Sequence, residues 1–275
     1  MWVFPSRLRI ASKLLANLLK RCNHEVLFLN FSRNLEDVVK ELADGVPYEY
    51  FSRRIKELGL VPAPFESWRY WTEPILLAVK GLRLIRPRLR IYCYKSPFFE
   101  RFSSDFAMRV LRLVFKVAST GKVNVEEWCE LVRSALKAGD YALREEADCI
   151  VRSLREGERG LCISNFEGRK LKESLVKVGL KVNLKYLLLP YHFTPLDILL
   201  RVYKYFSMLG ETPPKSRILR LIEEQVKFVR GYVLTSRDYD EAYFRWFADR
   251  SKWLKSRVSQ LYNLGGHNPN LADFF

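Results

Sequence analysis

The chain has 275 residues, 48% of them hydrophobic, and sets 47 Lys and Arg against 31 Asp and Glu for a formal charge of +16. A chain of this length buries roughly three quarters of its extended surface, enough for one large domain or a domain with an appended lobe, which excludes a disordered polymer and a disulfide scaffold. Richness in Arg, Lys and Glu explains a high charge content through surface ion pairs, whereas the excess of one sign points to a polyanion, nucleic acid or anionic lipid.

Residues 6–22 read as a basic amphipathic helix that turns Leu8, Leu15, Leu18 and Leu19 to one side. Arg9 and Lys13 interrupt any signal-peptide core, so this helix either packs in the protein or lies on a membrane surface. EVLFLNF (25–31) is too short for a helix and reads as a buried strand. Asn30 or Ser32 then caps NLEDVVKELA, which ends at Asp44-Gly45, and Pro47 opens a further helix. After the proline-broken VPAPFESW, a helix containing PILLAVKGLRLI leads to a second strand, RLRIYCYK (88–95). SPFFERFSSDF is a loop or short helix. Two long helical patterns follow, parted by Thr120-Gly121, then a third strand, GLCISNF (160–166), a helix to Gly179, and a fourth strand, KVNLKYLLL, closed by Pro190.

Helices alternating with short buried strands require crossovers, so the fold class is α/β, a small, mostly parallel sheet flanked by many helices with a helical C-terminal lobe. Thr194 and Pro195 start the next helix as cap and first residue. Gly210 to Pro214 form a hinge. The expected division is a core over 1–210, a helical lobe over 211–264 and a tail over 265–275.

The order of a helix (RLRIASKLLANLL) before VLFLNF, and of REEADCIVRSLREG running into GLCISNF and GRKLKESLVKVGL, resembles the TraB and ChaN-like group, which includes erythromycin-esterase relatives, over about residues 1–188. That resemblance implies hydrolases or metal or haem binders, with a Gly-x-x-His element after the first strand, an acid on the next and a histidine after a late one. Here those positions fall near Phe4 to Arg7, at Asn30 and near Phe166, and none carries the needed group. The resemblance therefore implies a degenerate, non-catalytic relative.

The five cysteines (Cys22, Cys93, Cys129, Cys149, Cys162) and three histidines are dispersed, which argues against a zinc module and for a reducing, cytoplasmic setting; no cofactor is expected. His192, after the last expected strand, is the one histidine placed where parallel sheets open their crevices, with Asp197 nearby; Cys162 or Ser164 would be its nucleophilic partner. Acidic clusters such as Glu145-Glu146-Asp148 read as helix-surface ion pairs.

Cations are better grouped. Arg83, Arg86, Arg88, Arg90 and Lys95 gather around the second strand. On an open face, these cations grip phosphate while Tyr92 and Tyr94 stack on bases; on a covered face the tyrosines are core and only the loop arginines remain. Arg169, Lys170 and Lys172 open the helix after the third strand, where free backbone N–H groups favour phosphate. Arg245, Trp246, Arg250, Trp253 and Arg257 mark an aromatic-rich helix that either docks on the α/β body or, with Phe274 and Phe275 in the tail, offers a surface to a protein partner or, third, to nucleic acid. The expected function is a basic, nucleic-acid-associated partner subunit without catalysis of its own, a guided nuclease being one such partner. The alternatives are a divergent hydrolase using His192 and a peripheral membrane protein held by the first helix.

Overall fold

The computed structural model describes residues 1–62 and 64–251. The chain divides into two compact units, Met1–Met108 with Ser134–Leu187, and Arg109–Arg133 with Leu188–Phe275. This cut differs from one at residue 210, because the helix opening at Pro195 packs with those that follow it.

The first unit holds five parallel strands, β1 (Trp2–Val3), β2 (Val26–Ser32), β3 (Arg90–Lys95), β4 (Gly160–Ser164) and β5 (Lys185–Tyr186), in the order β3-β2-β4-β1-β5. The architecture is α/β. Every residue of β2 is buried, as a central strand with helices on both faces requires. β1 has no periodic signature. It is secured by Phe4 N–H donating to the Ser164 carbonyl at 3.0 Å and Leu187 N–H to the Val3 carbonyl at 2.8 Å. The fourth expected strand shrinks to two residues, and Leu188 adopts φ 61°, which no ladder accommodates.

α1 (Arg9–Leu19) buries Ala11, Leu15, Ala16 and Leu19, and Arg9 reaches across to Glu73 on α4 (Phe65–Val79). The face that a membrane-lying helix needs is therefore core, which removes the basis for anchoring through this helix. No cap arises from Asn30 or Ser32. Instead a 3-10 turn, Arg33–Leu35, feeds α2 (Glu36–Ala43), and the Glu36 carboxylate accepts the Cys93 N–H at 3.0 Å. α3 (Tyr48–Glu57) follows Pro47. Gly81, at φ 67°, separates α4 from the single turn α5 (Leu82–Ile85).

SPFFERFSSDF belongs to a long helix, α6 (Pro97–Thr120), which Gly121 (φ 67°) ends before α7 (Val125–Ser153). α8 (Gly168–Lys177) lies between β4 and β5. One core cluster joins Val26, Phe28, Tyr94 and Cys162 of the sheet to Ala147 and Ile150 of α7 and to Leu171 and Leu175 of α8. At Gly168 a side chain would meet Val3 Cγ2 at 2.7 Å, so this glycine sets how closely α8 approaches the sheet.

In the second unit α9 (Pro195–Met208) starts with the expected Thr194 cap, elaborated into a reciprocal box with Asp197. The Leu196 N–H donates to Gln225 of α10 (Lys215–Gly231) at 3.0 Å. α11 (Tyr239–Arg250) is capped by Asp238, and its Trp246 packs edge-on against Phe228 of α10 at 5.3 Å. The expected helix beyond Ser251, and the tail, lie outside the described residues.

Candidate functional site

From β1 to β2 and on to β3 the chain moves one way across the sheet; from β3 to β4 and on to β5 it moves back. The neighbours β2 and β4 are thus left in opposite directions, and parallel sheets open their crevices beyond the carboxyl ends of such a pair. The groups gathered there are polar and buried. Lys95 ends β3 with its Nζ 2.8 Å from Glu146 of α7, the side chains being 10% and 3% exposed. Ser96 donates its hydroxyl to Glu145 at 2.6 Å, and Arg33 approaches the same carboxylate at 3.4 Å. Tyr94 donates to the Ile163 carbonyl at 2.8 Å. Asn30 of β2 is 6% exposed and lies where the β2–β3 register shifts between Leu29 and Ser32. Asn30 Oδ1 and Glu146 Oε1 have no hydrogen-bond partner.

Burial pushes the carboxyls of Glu100 and Glu146 above their usual value, with Lys95 pulling both down. The same burial drives the Cys162 thiol up to about 12 and Cys93 well above its usual value, the reverse of an activated nucleophile. Beside Glu100 lies a recess of about 50 Å³ lined also by Ser32, Asn34 and Arg101. Among the described residues no three His, Cys, Asp or Glu side chains are grouped to hold a metal.

His192 and Asp197 do not form a catalytic pair. The Asp197 carboxylate accepts the Thr194 hydroxyl at 2.7 Å and the Thr194 N–H at 3.1 Å, which commits it to the helix cap. The His192 ring packs on Phe247 with centroids 4.4 Å apart, and the Tyr243 hydroxyl bonds the His192 backbone N–H and carbonyl.

The cations expected to bind nucleic acid are largely engaged within the fold. Arg83 pairs with Asp44 at 2.9 Å, Arg90 with Glu158, and Arg86 donates to the His24 carbonyl and to Cys22 Sγ. Tyr94 is fully buried and Tyr92 stacks on Phe28, so the strand face is the covered one. Lys95, expected at the surface, is internal. Arg88 is exposed. On α8, Arg169 faces Glu173 at 3.5 Å and Lys170 faces Glu167 at 2.5 Å, while Lys172 is half-buried. Such exposed pairs are weak and leave phosphate able to compete.

The second unit carries an open groove of about 560 Å³ lined by Val226, Lys227, Arg230, Gly231 and Tyr232 of the α10 end and by Arg245 and Asp249 of α11. Arg245 is braced by the Thr235 carbonyl at 3.0 Å and the Ser236 hydroxyl at 2.8 Å. Tyr232 donates to Asp249 at 2.9 Å. Lys227 and Arg230 escaped the sequence reading, although their spacing of three within RILRLIEEQVKFVRG marks one helix face. Trp246, expected to anchor a partner, is 4% exposed and belongs to the core. Arg250 lies over its ring and pairs with Glu224 at 2.7 Å. Trp253, Arg257, Phe274 and Phe275 lie outside the described residues. No family model, curated protein or solved structure matches the chain.

Proposed function

We propose that this chain is a cytoplasmic, nucleic-acid-associated partner protein that performs no chemistry of its own and grips phosphates through the basic groove of the second unit. The observation that carries this reading is the convergence of Lys227, Arg230 and Arg245 on one open concavity of about 560 Å³, with Asp249 held aside by Tyr232. Three cations facing a groove supply affinity without reading bases. A protein partner is suggested by Tyr205, Met208 and Leu209, exposed together at the end of α9, Met208 to 78%. No described helix is long and apolar enough to cross a membrane, and all five cysteines are free. The resemblance to the TraB and ChaN-like group fits the same reading. The positions it singles out, near Phe4 to Arg7, at Asn30 and near Phe166, fall at or just beyond the carboxyl ends of β1, β2 and β4, without the groups its chemistry needs.

The test is fluorescence anisotropy with labelled single-stranded RNA, single-stranded DNA and duplex DNA over a salt series, alongside sedimentation with anionic vesicles. Three phosphate contacts give a log–log salt slope near −2.7 for duplex, or about a 40-fold loss between 50 and 200 mM salt. Lys227→Glu with Arg230→Glu is expected to weaken binding at least tenfold and flatten the slope. Unchanged affinity in that variant, or binding to vesicles alone, overturns the proposal.

A further inference from the structure

Just beyond β3 the first unit leaves two large rings open to solvent. Phe98, in the first turn of α6, is 56% exposed, and Tyr141, midway along α7, is 58% exposed. Single exposed rings are ordinary, but these two come from different helices and meet. Their centroids are 6.2 Å apart and their planes stand at 84°, so the pair forms a corner rather than a closed stack. The Ser96 hydroxyl, donating to Glu145 at 2.6 Å, fastens the start of α6 to α7 one turn from Tyr141. Behind the corner Phe102 stacks on Phe98 at 6.3 Å, and also on Phe99 at 6.2 Å and Phe106 at 6.3 Å. Phe106 is 8% exposed, so this ladder runs from the surface into the core and braces the outer rings before any ligand arrives.

The charge around the corner is mostly positive. Arg101 lies one turn from Phe98, and Lys137 and Arg144 lie one turn to either side of Tyr141. All three are exposed, and among the described residues none of them is paired with a carboxylate. Within one turn of either ring along α6 and α7, the exposed acid is Asp140, while Glu145 is engaged by Ser96 and Arg33. An apolar side chain of a protein would cover the rings and leave the cations unanswered, whereas an unpaired base with its phosphates answers both. We propose that Phe98 and Tyr141 stack an unpaired base of single-stranded nucleic acid, with the flanking phosphates meeting Arg101, Lys137 and Arg144. A duplex keeps its bases stacked on one another and has no free ring face to offer, so this corner distinguishes the two forms. The proposal rests on the nucleic-acid reading above and adds which form is held; the groove of the second unit grips phosphates of either form.

Fluorescence anisotropy with labelled single-stranded RNA, single-stranded DNA and duplex DNA over a salt series tests this. It compares the full-length wild type with the ring variant, Phe98→Leu with Tyr141→Leu, and the groove variant, Lys227→Glu with Arg230→Glu. Leucine keeps apolar bulk and removes the ring faces. The ring variant is expected to bind single strands at least about fivefold more weakly at every salt concentration. Its salt slope and its duplex affinity are expected to stay as in the wild type, because no charge is lost. The groove variant flattens the slope for both forms instead. Unchanged single-strand affinity in the ring variant, or an equal loss for duplex, overturns this proposal and leaves the groove reading standing. A wild type that binds no nucleic acid removes both. Photocrosslinking of the wild type to single strands carrying iodouracil gives a second readout that needs no variant. Adducts on Phe98 or Tyr141 are expected in the digested protein by mass spectrometry, and their absence from both rings also overturns the proposal.

Discussion

Replacing Lys95 with methionine keeps most of the aliphatic stem and removes the charge. The native pair is 2.8 Å apart with both side chains nearly closed to solvent, which at an effective dielectric near 20 gives a gross attraction of about 6 kcal/mol. Most of that attraction offsets the desolvation of the two ions, so the net worth of the pair is small. The cost of breaking it is not, because Glu146 is left buried with the Ser96 backbone N–H in place of its counterion; removal of one partner from such pairs typically costs about 3–5 kcal/mol. Without Lys95 the Glu146 carboxyl holds its proton more tightly still in the folded state, so the loss is smallest at acid pH and grows as pH rises. Urea unfolding followed by tryptophan fluorescence at about pH 5 and about pH 8 reads both the size and the trend, provided the slope with urea is unchanged. The double variant Lys95→Met with Glu146→Leu removes both charges and is expected to recover most of the loss. A single variant that costs less than about 1 kcal/mol at both pH values would refute the reasoning, since that is how an exposed pair behaves.

Two further substitutions probe the scaffold. Gly168→Ala sets a methyl 2.7 Å from Val3 Cγ2 and 3.1 Å from the Ser164 side chain, and is expected to cost about 1–3 kcal/mol, read as a fall of several degrees in Tm. Thr194→Ala removes the oxygen that accepts the Asp197 N–H and the hydroxyl donated to the Asp197 carboxylate, for a loss of about 0.5–2 kcal/mol that Thr194→Ser restores.

The parts of this fold that could be read from sequence are those whose physics is local. VLFLNF is apolar except for Asn30 because β2 is covered on both faces, and Thr194-Pro195 with Asp197 is a cap written in adjacent residues. β1 depends on distant partners instead. Two residues carry no period, and what makes Trp2–Val3 a strand is pairing with β4 and β5, more than 150 positions away in sequence. The start of α6 was obscured for another reason: the aromatic run Phe98, Phe99, Phe102 and Phe106 breaks a simple polar-apolar stripe, yet spacings of three and four stack these rings along one helix. The sheet-edge site was hidden because Lys95 and Ser96 meet Glu146 and Glu145 from 51 and 49 positions away and none of them has a motif around it.

Charge shows the same division between local and distant. A cluster of cations in sequence is not a cationic surface. Around β3 the neutralising groups arrive from afar, Asp44 to Arg83, Glu158 to Arg90 and Glu146 to Lys95. The surplus that makes up +16 must then sit on cations whose structural neighbours are not acidic. On α10 the pattern supports this. Glu224 is occupied on either side by Arg220 and Arg250, whereas Lys227 and Arg230, one turn further on, face a groove that also receives Arg245. Helical spacing keeps the glutamate one turn away from the groove cations, and an arriving phosphate there meets three cations with a single carboxylate already hydrogen-bonded to Tyr232. Local arrangement, more than net charge, is what the proposed phosphate grip of this groove rests on.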